Sequence, residues 1–119
     1  MKVYRFKRLG EQNTLGDVWI TVEEPGKAPR TLKHRVRHSP TGMNWGYSGS
    51  GPADCARSLA WDVLGREPSP REYQSVKVAL VAPMPVSGGA ISESQVRNVL
   101  DFAAARLAED ESHELGGEG

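Results

Sequence analysis

This sequence of 119 residues is poor in cysteine, in long apolar runs and in excess charge of either sign. Its single cysteine, Cys55, excludes a disulfide within the chain and fits a reducing compartment. No stretch approaches the roughly 18 apolar residues of a membrane span. The charged residues 1–8 leave no room for the apolar core of a signal peptide. We therefore expect a cytoplasmic protein without a membrane-spanning segment.

The zero net charge conceals a gradient along the chain. Residues 1–38 carry nine Lys and Arg against four Asp and Glu, whereas residues 109–119 carry five acids and no Lys or Arg. Opposite charge at the two ends is typical either of an interaction surface or of a solvated tail. Because the last residues are acidic and rich in glycine, we expect one domain over 1–108 and a disordered acidic tail over 109–119.

The first third of the chain has the two-residue periodicity of β-strands. Apolar and polar residues alternate over 3–7, 17–22 and 31–37. Turns that contain Gly, Pro or Asn separate the three runs. This pattern predicts a three-stranded antiparallel meander.

Helix signals begin after a loop over 38–51. Pro52 suits the first helical position, apolar residues follow at helical spacing, and Gly65 is a natural residue after the last turn. Together these signals predict a helix over about 52–64, with Leu59 in the core.

Two capping boxes, Ser-Pro-Arg-Glu at 69–72 and Ser-Glu-Ser-Gln at 92–95, predict where further helices begin. The second box starts an amphipathic helix over about 93–108, with Leu100 in the core. The β-branched residues within 76–82 are compatible with either a helix or a strand. The fold class is therefore α+β, with a three-stranded antiparallel N-terminal sheet packed against two or three helices.

One segment carries a resemblance to a known family. Residues 45–53 read W-G-Y-S-G-S-G-P-A and precede an Ala- and Leu-rich helix. The segment resembles the W-G-Y-x-G-S-G-P-A signature of an uncharacterised family of small phage and bacterial proteins. The resemblance continues through Y-Q-S-V-K at 73–77 and A-I-S-E-S-Q-V at 90–96, and covers roughly residues 30–102. It implies a phage or mobile-element accessory protein, located in the host cytoplasm if phage-encoded, and it brings no activity with it.

The glycine-rich loop 46–51 before the first helix is the sharpest candidate site. Free N–H groups and the positive helix end can hold a phosphate or carboxylate, but the Lys-Ser/Thr pair of a P-loop is missing. Alternatively, the glycines serve a tight turn that folds Trp45 and Tyr47 over the core. A third interpretation is protein recognition, because Tyr and Trp are favoured at hot spots. The candidate binding residues are Trp45, Tyr47, Ser48 and Ser50.

Residues that would carry catalysis or hold a metal are not grouped in this sequence. His34 and His38 would share a strand face about 13 Å apart, with no cluster of carboxylates or thiols beside them. Cys55 has no evident base partner, and no G-x-S-x-G motif is present. We therefore expect no enzyme activity, no metal and no cofactor.

The sequence favours a binding protein, with three alternatives for its ligand. The first is a host or phage protein, which the chain binds and, in one version, inhibits. The second is nucleic acid, bound by a basic strand over 30–37 in which Lys33, Arg35 and Arg37 share one face. The zero net charge argues against that alternative. The third is a small molecule or anion held by the loop 46–51.

Overall fold

The computed structural model describes the backbone of residues 1–8 and 18–116, and the side chains of these residues up to position 106. The elements are β1 (Val3–Arg8), β2 (Val18–Glu23), β3 (Arg30–Thr31), α1 (Ser50–Leu64), α2 (Pro70–Val76), a π-helical segment (Lys77–Val81), β4 (Gly88–Ser92) and α3 (Glu93–Gly116). The α+β class is confirmed. The predicted turn near Gly10 and the last predicted tail residues, 117–119, lie outside the described residues.

The described residues form a sheet of four antiparallel strands in the order β3-β2-β1-β4, one more than the sequence predicts. The additional strand, β4, reads G-G-A-I-S, in which Ile91 is the one β-branched residue and no residue is aromatic, so local propensity for a strand is weak. It forms because β1 offers it a complete antiparallel register, from Val3 opposite Ser92 to Lys7 opposite Gly88. A partner about 85 residues distant in sequence, rather than local propensity, therefore creates this strand.

The third strand predicted from the sequence is wrong beyond its first residue, because β3 ends at Thr31. After Leu32, whose N–H donates to the Ile20 carbonyl at 2.9 Å, the chain leaves the sheet and runs along α1. There the backbone N–H groups of residues 37–39 donate to the Asp54 carboxylate at 2.9–3.2 Å. Helix α1 thus takes the hydrogen bonds that a neighbouring strand would have used, and no basic strand forms.

The local helix signals are confirmed except for Pro52. Helix α1 begins at Ser50 after the N-cap Gly49, so Pro52 is its third residue and not its first. Proline is tolerated there because the N–H groups of the first turn have no partner within the helix. Helix α1 ends at Leu64, and Gly65 follows with φ of 72° and donates its N–H to the Trp61 carbonyl at 2.8 Å. Ser69 caps α2 with a complete capping box. At the start of α3, Ser92 and Gln95 exchange the same two hydrogen bonds at 2.8 and 3.1 Å.

The ambiguous segment 76–82 is helical. It continues α2 as a π-helix, in which the Ala82 N–H donates to the Lys77 carbonyl at 2.8 Å. Helix α3 runs past its predicted end near residue 108 to Gly116, so residues 109–116 of the predicted tail are helical.

The core lies between the inner face of the sheet and α1, which α2 and α3 also contact. Residues 51–60 of α1 are all buried, and Ala53, Ala56 and Ala60 among them keep the helix narrow. A helix buried on all sides is typical of a core helix. Leu59 and Leu100 are buried, as predicted.

Candidate functional site

Trp45, the largest side chain of the glycine-rich segment, belongs to the core. It is fully buried, and its ring meets Phe6 edge-to-face with 5.4 Å between centroids. The indole N–H donates to the Val86 carbonyl at 3.1 Å, and the Arg8 guanidinium lies 4.7 Å from the ring centroid. This candidate binding residue therefore packs inside the molecule and presents no surface to a partner.

Tyr47, Ser48 and Ser50 lie at the surface. The Tyr47 side chain is 47% exposed and covers the two glycines that follow it. A Cβ atom on Gly49 would lie 2.9 Å from the Tyr47 ring, and one on Gly51 would lie 3.0 Å from the Tyr47 hydroxyl. The glycines thus make room for the ring, which fits the interpretation of the loop as a tight turn and leaves half of Tyr47 open to a partner.

A buried carboxylate organises the segment between β3 and this loop. Besides the three backbone N–H groups, Asp54 contacts His34 Nε2 at 2.8 Å. Burial opposes its ionisation, but the hydrogen bonds from His34 and the backbone outweigh burial and hold the pKa of Asp54 below its usual value. His38 turns elsewhere, with Nε2 at 2.7 Å from the Tyr73 hydroxyl. Within the described part of the chain, no three His, Cys, Asp or Glu side chains gather as a metal site.

The three basic candidates do not form the basic face of a strand, because β3 ends at Thr31. The Arg35 guanidinium lies 4.3 Å from the Trp61 ring centroid, whereas Lys33 and Arg37 are exposed and form no ion pair with any residue that the structure describes. Arg37 opens onto a polar pocket of about 300 Å³, which we call the arginine pocket. It is lined by Arg37, Arg57, Arg66, Glu67, Pro68, Ser69, Pro70 and Tyr73.

An apolar groove between α2 with its π-helical continuation and α3 was missed by the sequence reasoning. Its volume is about 590 Å³. It is lined by Arg71, Gln74, Ser75, Val78, Ala79, Asn98, Val99 and Phe102. Val78 is 69% exposed and Phe102 is 64% exposed, the largest exposed fractions among the described large apolar side chains after Met1. The one available signal was Phe102, which stands off the apolar stripe of α3.

The family comparison covers both of these cavities. Residues 8–102 match the model of a family of unknown function, DUF6166. The chain belongs to this family. The DUF6166 match includes the glycine-rich loop, α1, α2 and both walls of the apolar groove, and it ends at Phe102. No curated protein and no solved structure matches the chain significantly.

The structure also bears on membrane association. Among the helices of the DUF6166 chain that the structure describes, none combines the length and the apolar character needed to cross a bilayer.

Burial raises the pKa of the Cys55 thiol, because the thiolate would lie in the core beside Asp54. The thiol of Cys55 is therefore a packing group in this fold.

Proposed function

We propose that this chain is a phage or mobile-element accessory protein that binds another protein in the apolar groove. The observation that carries the proposal is the pair Val78 and Phe102, both large, apolar and about two-thirds exposed, on opposite walls of one groove. Exposed apolar side chains gathered in one place are typical of interaction sites on soluble domains. If the partner needs the bound surface for its own activity, binding in the groove would also inhibit the partner.

The shape of the groove favours an amphipathic helix as the occupant. Both walls are helical, and a helix that lays its apolar face between two others is a common mode of peptide recognition. The Arg106 guanidinium lies 6.0 Å from the centroid of the Phe102 ring, which lines the groove. This positive charge at the rim complements a partner helix with acidic residues beside its apolar face.

The exposed area is large enough to matter for affinity. Complete burial of a Val or Phe side chain contributes about 1.5–3 kcal/mol. Because Val78 and Phe102 keep roughly a third of their surface covered in the free protein, burying both should contribute about 2–4 kcal/mol. Shape complementarity along the groove would supply the rest.

The proposal is tested with helical peptides selected from a displayed library on the whole chain. Binding of the selected peptides is then measured by calorimetry to the parent, to Phe102→Ser and to the matched control Val36→Ser, an exposed apolar residue outside the groove. We expect the selected peptides to carry apolar residues at i, i+3, i+4 and i+7 with flanking acids. These peptides should bind Phe102→Ser at least about tenfold more weakly than the parent, and should bind Val36→Ser as tightly as the parent. Both variants should keep the melting temperature of the parent, because neither side chain is buried.

Two results would contradict the proposal. Peptides that bind Phe102→Ser as tightly as the parent would place the binding surface elsewhere. A parent that dimerises in sedimentation experiments, and becomes monomeric on Phe102→Ser, would make the groove an interface between copies of this chain.

A second candidate function, single-stranded nucleic acid binding, is favoured by the outer face of the sheet rather than by the basic segment. Trp19 is 51% exposed and lies directly opposite Lys7 in the ladder, with Arg5 on the same face. An aromatic side chain beside cations can stack a base and contact phosphates. At low salt, a labelled single strand should bind the parent and not Trp19→Ala, while Tyr47→Ala binds normally. Absence of binding to the parent eliminates this function.

A further inference from the structure

The arginine pocket lies where the segment after β3, helix α1 and the turn before α2 meet. Three of the residues that line it carry guanidinium groups, namely Arg37, Arg57 and Arg66. Glu67 is the one carboxylate among its described lining residues. Such a cavity suits an anionic ligand far better than an apolar one.

Arg57 is held rigidly in this pocket. Its side chain is 8% exposed, and Nη1 donates to the Arg35 carbonyl at 2.8 Å. The guanidinium also lies 4.9 Å from the centroid of the Trp61 ring. These contacts fix its direction, so that Nη2 points to the Glu67 carboxylate at 2.9 Å. A nearly buried cation with a preset orientation loses little side-chain freedom when it binds an anion.

The two other guanidinium groups differ in whether a described carboxylate neutralises their charge. Arg66 donates to both oxygens of the Glu72 carboxylate, at 3.1 and 2.9 Å, so its charge is compensated by a bidentate pair. Arg37 is exposed and has no ion pair within the described residues. The pocket therefore contains one uncompensated positive charge next to the Arg57–Glu67 pair.

Glu67 is the replaceable member of that pair. Its side chain is 57% exposed, and the carbonyl and ring contacts that orient Arg57 do not involve Glu67. A carboxylate on the solvent side of a fixed guanidinium can rotate into water at low cost. It thus occupies the position that an incoming anion would take.

We propose that the arginine pocket binds a phosphate group, which displaces the Glu67 carboxylate from Arg57 and is also contacted by Arg37. A phosphate monoester has three terminal oxygens and a charge near −2, so it can accept hydrogen bonds from two guanidinium groups at once. A carboxylate has two oxygens and a charge of −1, and pairs with one guanidinium group. This site is separate from the apolar groove, and its test does not depend on the proposed protein partner.

The probe is inorganic phosphate, titrated into the isotope-labelled chain while the arginine Nε–H and backbone resonances are followed by NMR. We expect saturable shifts at Arg37, Arg57 and Glu67. Arg37→Gln should weaken phosphate binding about tenfold, the effect of one charge-assisted hydrogen bond. Lys33→Gln is the matched control, since it removes an exposed cation of the same segment outside the pocket. It should leave the affinity within about twofold.

Glu67→Gln tests the displacement itself. Removing the competing carboxylate should tighten phosphate binding by about threefold or more, with no loss of folding because Glu67 is exposed. Phosphoserine and adenosine monophosphate, titrated in the same way, distinguish a phosphorylated side chain from a nucleotide as the source of the phosphate. Shifts that do not saturate, or equal weakening by Lys33→Gln and Arg37→Gln, would overturn the site. Unchanged affinity in Glu67→Gln would overturn the displacement.

Discussion

Two carboxylates on α1 determine how the chain surrounds that helix. Asp54 collects the backbone of residues 37–39, as described above. Asp62, two turns later, accepts from the Tyr4 hydroxyl at 2.7 Å, from Arg30 at 2.8 Å and from Lys2 at 3.4 Å. One residue thus holds the segment after β3 against α1, and the other holds β1 and β3. A single carboxylate that accepts hydrogen bonds from several donors can hold a segment in place as the ladder of a neighbouring strand would.

Asp54→Asn should therefore destabilise the fold by about 3 kcal/mol or more at neutral pH. The amide keeps one acceptor oxygen but turns an NH₂ group towards backbone N–H donors, which are left unpaired beside the buried Asp54 side chain. The measurement is the free energy of unfolding in urea. Asp101→Asn is the control, since Asp101 is an exposed carboxylate on α3, and should change stability by less than about 0.5 kcal/mol. An equal effect in both variants would contradict the anchoring role of Asp54.

The pKa values of Asp54 and Asp62 are both lowered in the folded state, since the hydrogen bonds that each carboxylate accepts outweigh its burial. The folded protein therefore binds these protons less tightly than the unfolded chain does. Their stabilising contribution is complete above the unfolded pKa of about 4 and is lost as the pH falls through the lower folded values. In Asp54→Asn, the loss of stability between pH 5 and 3 should accordingly be smaller than in the parent.

At the scale of elements, β4 depends on one backbone position. Gly88 has φ of 115°, and a Cβ atom there would collide with the Phe6 carbonyl oxygen across the ladder. Gly88→Ala should cost about 3 kcal/mol of unfolding free energy, because strain and the collision act together. Gly89→Ala is the matched control, since the atoms nearest to its Cβ would be those of the Met84 side chain at 3.8 Å. Equal stability of the two variants would mean that β4 does not pair closely with β1.

The elements that could be predicted from sequence are those whose evidence lies within one or two turns. The capping boxes at Ser69 and Ser92 are local signals that mark where α2 and α3 begin, and Gly65 is a local signal that marks where α1 ends. Strand β4 and the early end of β3 at Thr31 depend on pairing across long distances in sequence. The periodicity of residues 31–37 was real, but Asp54 competes for their backbone, which no local pattern reveals.

At the scale of the whole molecule, the candidate site was harder to predict than the fold, because it too depends on contacts between residues that are distant in sequence. Trp45, the conspicuous aromatic beside the glycine-rich loop, fills the core, whereas Phe102, marked in the sequence by nothing more than its place off the apolar stripe of α3, lies open in a groove. Exposure is decided by how α2 and α3 pack, which residue types alone do not specify. Arg37 was predicted as a binding residue, but its neighbours Arg57 and Arg66 come from α1 and the turn beyond it.

The three surfaces that carry proposals are distinct parts of one small domain. The apolar groove, the arginine pocket and the outer face of the sheet share no lining residue among those described. Changes at Phe102, Arg37 and Trp19 should therefore act independently on their ligands, because residues without shared partners show nearly additive effects. This independence allows each proposal to fail without affecting the others.

The central claim, that the apolar groove binds a partner helix, is tested most directly by methyl NMR of the labelled chain with a selected peptide. We expect the largest shifts at the methyl groups of Val78, Ala79 and Val99, which line the groove, and none at Val63, which is buried in the core. Saturation should coincide with the calorimetric titration. Shifts confined to the region of Tyr47, or groove methyl groups that do not respond at saturation, would contradict the claim.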